Sequence, residues 1–248
     1  DLKAGLITLP NLLLLPPTAT PASMDVEFVA GGYIRKRLGA TSLNSTRIVA
    51  GVGFSPDSAN LLAAAVSAFW KLEEQSGDRI DSYGNSTLTD RNSTGFAGGI
   101  ILNAASFVAV NSNYLIRDDI SAVSAGTSNF GVATWVNLLT KTDDQTFVGK
   151  YLATDTSQRE YRVWYDYLQD RFAFTVRSGT AEGVVYATTL GAPATATWYL
   201  LTAWQDSANS LSYIRVGTLT ANSMTFSRGL NDTAAPFTIG AAKTSAAF

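Results

Sequence analysis

The sequence predicts an all-β fold: a two-sheet antiparallel sandwich carried on an extended, β-rich N-terminal arm. Three observations support this. Apolar residues recur with period two, as in Tyr161, Val163, Tyr165 and Tyr167 against Arg162, Trp164 and Asp166, and again in Phe172, Phe174 and Val176. Polar connections of hairpin length separate such runs, Leu168-Gln169-Asp170 in one place and Asp206-Ser207-Ala208-Asn209-Ser210 in another. Helical stripes are few, and none is long.

Residues 1–23 contain Pro10, Pro16, Pro17 and Pro21, four of the seven prolines, which disfavours a helix or a central strand and predicts an extended arm. The run Leu12, Leu13, Leu14 and Leu15 would be a liability in water, so the arm is expected to lie on the sandwich or on a neighbouring subunit. Residues 6–15 are apolar but too short to span a bilayer and are broken by Pro10, so no membrane span is expected. Residues 26–29 and 47–52 read as short strands, and residues 59–65, after Ser55-Pro56-Asp57, as one short helical segment. Arg35-Lys36-Arg37 is the only dense basic run. It reads as a solvated strand or turn, or else as a docking contact for an acidic neighbour. The arm therefore covers residues 1–65 and the sandwich residues 66–248. Within the sandwich, residues 161–176 form one hairpin and residues 198–217 a second.

Of the 248 residues, 46% are hydrophobic and 15% charged, with a formal net charge of -2. That is enough apolar material for a core and no basic field for nucleic acid. The chain has no cysteine and no histidine, which removes disulfides, thiolate nucleophiles, the Ser-His-Asp triad and His- or Cys-ligated zinc. Any catalysis would have to run on carboxylates, Lys, Arg or Tyr. Four Asn-x-Ser/Thr sequons, at Asn44, Asn85, Asn92 and Asn231, occur about as often as random neighbours would produce.

Several stretches in order carry a resemblance. They are Ala68-Phe69-Trp70-Lys71-Leu72-Glu73-Glu74 with Asp81-Ser82 and Gly84-Asn85; Leu102-Asn103-Ala104-Ala105-Ser106-Phe107 with Ser112-Asn113-Tyr114-Leu115; Phe130-Gly131-Val132-Ala133-Thr134-Trp135-Val136; Phe147-Val148-Gly149-Lys150; Trp198-Tyr199-Leu200-Leu201-Thr202-Ala203; and Phe237-Thr238-Ile239-Gly240-Ala241. Together they resemble laminin G-like, concanavalin A-like lectin-glucanase domains. The resemblance implies a jelly-roll sandwich opening with a strand at Trp70 and holding Trp135 as a core anchor. It also implies a last strand that has no counterpart before Phe248, which leaves a sheet position that another chain could fill.

The Glu-x-Asp-x-x-Glu strand of the glucanase relatives is absent. Only Glu27, Glu73, Glu74, Glu160 and Glu182 occur, none in that spacing, so no catalytic residue and no enzyme is expected. Calcium is the cofactor that the resemblance suggests. Asn111 and Asn113 stand where relatives contribute ligands, but the acidic run of pentraxins is replaced by Ala241-Ala242-Lys243-Thr244. At most one site is left, with Asp81, Asp90, Asp155 or Asp232 as candidates. Trp164 is the candidate for stacking on a sugar ring, and Asn111, Asn113 and Trp164 form the expected ligand-binding set. Leu12 to Leu15 with Arg35, Lys36 and Arg37 form the expected assembly set. The function expected is a non-enzymatic virion structural protein of tail-fibre or capsid-decoration type, found on a virion or outside the cell. It would be a homo-oligomer or partner of other virion proteins, with a lectin-like domain for cell-surface glycans. The alternative is the glycan-binding module of a bacterial secreted protein or adhesin.

Overall fold

The computed structural model describes residues 66–226 and 229–242 together with the backbone of four short N-terminal strands. The chain divides into two compact units, Asp1–Val66 and Ser67–Phe248. In the first, β1 (Leu13–Leu14) pairs antiparallel with β4 (Ile48–Val49), and β2 (Asp25–Val29) with β3 (Tyr33–Arg37). Arg35, Lys36 and Arg37 thus belong to a strand, whose register sets Arg37 opposite Asp25 and Arg35 opposite Glu27. Leu12, Leu15, the prolines of residues 1–23 and the helix expected over residues 59–65 lie outside the described residues.

The second unit is a sandwich of two antiparallel sheets. Its strands are β5 (Thr89–Arg91), β6 (Gly95–Gly98), β7 (Asn103–Ser106), β8 (Tyr114–Arg117), β9 (Phe130–Asn137), β10 (Gln145–Tyr151), β11 (Arg159–Asp166), β12 (Arg171–Ser178), β13 (Ala181–Tyr186), β14 (Trp198–Asp206), β15 (Leu211–Val216), β16 (Asn222–Thr225) and β17 (Phe237–Ile239). One sheet has seven strands in the order β13-β12-β11-β10-β17-β8-β5, the other four in the order β16-β15-β14-β9, and β6 pairs with β7. Both hairpins expected from the sequence are present, with Val163 opposite Phe174 in one and Trp204 opposite Tyr213 in the other.

Alternation decides what fills the space between the sheets. Tyr161, Val163, Tyr165, Phe172, Phe174 and Val176 point inward from the larger sheet and meet Val136, Leu201, Ala203, Ile214 and Val216 from the smaller. Tyr199 bridges the layers, its ring edge-on to Phe172 with centroids 5.3 Å apart. Two bulges interrupt the β10–β11 ladder, between Thr146 and Val148 and between Lys150 and Tyr151. The extra residue of a bulge re-aims its neighbours, and the second one accompanies a buried pair of Lys150 and Glu160 at one end of the core.

Three expectations need correction. Trp70 is not in a strand but in an isolated bridge to Asp81. The Phe69 amide donates to the Asp81 carboxylate instead of a ladder partner, and Leu72 turns the chain at φ 59°. Trp135 is no core anchor: the inward set on β9 includes Phe130, Val132 and Val136, while Ala133 is exposed and Trp135 half-buried on the outer face. Tyr167 falls in the turn beyond β11 and is exposed, so it does not continue the inward row. The short strand β17 is internal to the larger sheet, pairing with β10 on one side and β8 on the other.

Candidate functional site

The outer faces of the two sheets differ sharply. On the larger sheet the outward residues of β11 and its neighbours build a closed ladder of rings and guanidinium groups. The Arg162 guanidinium lies 3.6 Å from the Trp164 ring centroid and 4.5 Å from that of Tyr151, and Arg159 covers Tyr151 at 4.5 Å. Glu182 closes the end of the ladder, pairing with Arg159 at 3.1 Å and Arg177 at 3.3 Å and accepting from the Tyr151 hydroxyl at 3.4 Å. At the other end Tyr186 donates to Asp166 at 3.0 Å. Burial, reinforced by that hydrogen bond to a carboxylate, pushes Tyr186 up to about 12. It is therefore a neutral donor at ordinary pH.

Trp164 belongs to this ladder. It is only 5% exposed, and its indole N–H donates to Thr175 Oγ1 at 2.9 Å. The ring is thus covered by Arg162 on one side and its polar edge is already used. Asn113 is also buried: its amide donates to the Asn92 and Ser93 carbonyls and its oxygen accepts from the Val108 amide, fastening the β7–β8 connection to the β5–β6 turn. Asn111 is exposed in a 3₁₀ turn over Ala109–Asn111. The two asparagines precede β8, which stands three strands away from β11, about 14 Å at ordinary strand spacing. The three residues of the expected set are not gathered in one place.

Of the carboxylates considered for calcium, Asp81 accepts from the Phe69, Tyr83 and Ser86 amides, Asp90 from the Thr94 amide, and Asp155 from the Ser157 amide at the start of a 3₁₀ turn. Asp232 is exposed. Among the described residues, no three such side chains converge on a point that could hold a metal ion.

Among the described residues, no ladder of rings and guanidinium groups closes the outer face of the four-stranded sheet. The ladder pairs Trp204 with Tyr213 on one side and with Gly131 on the other, Thr202 with Arg215 and Ala133, and Leu200 with Trp135. Trp204 and Tyr213 stack with ring centroids 4.7 Å apart and planes 9° from parallel. Both are half-buried, as are Trp135, Leu200, Thr202 and Arg215, while Gly131 and Ala133 are exposed. Small residues thus form a low floor between Trp204 and Trp135, which are four residues apart along the sheet, about 14 Å. The Arg215 guanidinium carbon sits 5.8 Å from the Trp204 ring centroid. Burial alone pulls Arg215 below its ordinary value, with no acidic neighbour to oppose it.

Sequence reasoning singled out Trp164, which the structure buries beneath Arg162, and gave no role to Tyr213 or Arg215. The signal was present in the alternation of Trp198, Leu200, Thr202 and Trp204 against Tyr199, Leu201, Ala203 and Gln205. What it lacked was a rule for which of two apolar faces turns inward.

No protein-family model matches the chain, and no curated protein matches it in sequence. Among solved structures it is similar to the binding domain of Paraclostridial Mosquitocidal Protein 1, at 13% identity and a TM-score of 0.56, over 70% of this chain and 44% of that one. The chain thus spans less than half of that protein's length. It also aligns with domain 4 of AbnA, a GH43 extracellular arabinanase from Geobacillus stearothermophilus in complex with arabinotriose, at 16% identity and a TM-score of 0.47, over 69% of this chain and 87% of that one. A third alignment is with the binding domain of Botulinum Neurotoxin DC in complex with SialylT, at 11% identity and a TM-score of 0.46, over 66% and 40% of the two chains. At such identities the first likeness speaks for the shared β-sandwich fold.

Proposed function

We propose that the sandwich is a non-enzymatic glycan-binding module whose recognition surface is the outer face of the four-stranded sheet. The observation that carries this reading is the near-parallel Trp204–Tyr213 pair, half-exposed beside a floor of Gly131, Ala133 and Thr202. Pyranose rings present flat C–H faces, and an aromatic platform with polar groups at its margin fits them in the way small-molecule sites combine apolar walls with a few orienting polar groups. The larger sheet supports this choice by contrast, since its outward Trp164 and Tyr151 are buried and covered by Arg162 and Arg159. Titration of the full chain against a broad panel of oligosaccharides tests the reading. Saturable binding that Trp204→Ala weakens at least tenfold supports it; a panel without binding, or binding indifferent to Trp204, removes it.

A second reading concerns where such a module works. The apolar, proline-punctuated sequence of residues 1–23, with Leu12 to Leu15, favours a subunit that docks into a larger assembly, such as a virion fibre or decoration protein, over a solitary secreted lectin. Light scattering on the full chain and on residues 67–248 separates the two. A multimer that becomes a monomer on truncation fits the subunit, and a monomer in both forms fits the secreted module.

A further inference from the structure

Resting on the glycan-binding reading, we propose that the ligand is an acidic glycan and that Arg215 is the residue that recognises its negative group. Arg215 lies on β15 directly across from Thr202 and one row along from the Trp204–Tyr213 stack, so its side chain borders the surface that a sugar ring would cover. Among the described residues it takes part in no ion pair, and its buried Nε has no hydrogen-bond partner. A buried guanidinium N–H without an acceptor is costly unless something supplies one. Among the described residues of this face nothing does. The outward residues around it are Trp204, Tyr213, Thr202, Ala133, Leu200 and Trp135, none of them acidic, and the nearest outward carboxylate, Asp206, accepts from Asn209 in the hairpin turn beyond the stack.

Arg117 on β8 also has a buried Nε without a partner, but it belongs to the seven-stranded sheet; four further guanidinium groups of the sandwich make the contrast. Arg159 and Arg177 are held by Glu182, and Arg79 by the carbonyls of Gly77 and Thr94. Arg162 lacks a hydrogen bond at Nε, but its plane is filled by Trp164 and Tyr151, and the charges of Asp144 and Glu182 act on it. Arg215 has only the edge of the platform. A planar fork of donors beside an aromatic stack suits a carboxylate or a sulfate on a ring whose C–H face rests on Trp204, and the fork geometry is one that lysine does not reproduce.

The test is an array of neutral, uronate-bearing, sialate-bearing and sulfate-bearing oligosaccharides, probed with the full chain and with Arg215→Gln, Arg215→Lys and Arg162→Gln, each checked for an unchanged melting temperature. The expected result is binding concentrated on acidic sugars, with the carboxylate and sulfate arms showing which anion is preferred. Arg215→Gln should lower that binding at least tenfold, Arg215→Lys should restore only part of it, and Arg162→Gln should leave it in place. Acidic binding that survives Arg215→Gln, or that depends on Arg162, overturns the assignment. Binding confined to neutral sugars overturns it while leaving the glycan-binding module standing, and an array without any binding removes both.

Discussion

Lys150 and Glu160, neither with any solvent exposure, form a 2.8 Å ion pair beside a bulge in the β10–β11 ladder. Around this pair three parts of the chain meet. Lys150 also donates to Asp119, to Ser124 Oγ and to the Thr233 carbonyl, while Glu160 accepts from the Ala125 and Thr233 amides. The segments after β8 and before β17 are thus tied to the large sheet by charge-assisted bonds at the end of an otherwise apolar core.

Removing one member of such a pair leaves an uncompensated buried charge. Lys150→Met should therefore cost about 3–5 kcal/mol in urea denaturation. Lys150→Met combined with Glu160→Gln should cost less than Lys150→Met alone, because the stranded charge is gone, though the Ala125 and Thr233 amides then donate to a weaker, neutral acceptor. A single variant as stable as the parent would mean that water reaches the pair.

Phe174, fully buried at the centre of β12, should lose about 3–5 kcal/mol as Phe174→Ala. Trp135→Ala should lose less than about 2 kcal/mol, since its ring lies on the outer face, outside the core cluster, and is only partly buried. Equal losses in chemical denaturation would put Trp135 back in the core and undo the outer platform.

The contrast between these two residues shows where the sequence could be read. On β11 and β12 one face alternates aromatic and β-branched residues while the other carries charges, so Tyr161, Val163, Phe172 and Phe174 declared their direction without help. On β14 both faces are apolar. Trp198, Leu200 and Trp204 look more like core than Leu201 and Ala203, yet Leu201 and Ala203 are inside, where Phe172 and Phe174 of the partner sheet already fill much of the volume. Only the partner sheet decides this, and no local pattern contains it. The place of β17 was hidden for a related reason. Three residues carry too little periodicity, and their pairing with β8 and β10 joins distant parts of the chain.

Asp81 should govern part of the acid limb of stability. Burial by itself would raise its pKa, but the amides of Phe69, Gly84, Tyr83 and Ser86 outweigh burial and hold it below the usual 3.8. A depressed folded-state pKa contributes stability that is fully present above the unfolded value and is lost as pH falls through the folded value. Melts between pH 5 and about pH 2 should show a decline that Asp81→Asn flattens, on a background lowered by about 1–3 kcal/mol for the amides left poorly matched. An Asp81→Asn profile parallel to the parent would remove Asp81 from the acid response.

Trp204 and Trp164 give the sharpest comparison between the two sheet faces, because the same substitution should act on different properties. Trp164→Ala removes a ring that is 5% exposed and frees Thr175 and Arg162, so it should lower the melting temperature clearly. Its effect on glycan binding should be small once the folded fraction is accounted for, since the ring offers no open face. Trp204→Ala removes one ring of a half-buried stack with Tyr213 and leaves the core residues Leu201 and Ala203 in place, so the melt should move little. Binding should fall at least tenfold, about 1.4 kcal/mol, as expected for an aromatic anchor at the centre of a contact. Calorimetric titration and thermal melts on the two variants measure both quantities. The reverse pattern, binding lost with Trp164 and kept without Trp204, would move the recognition surface to the seven-stranded sheet.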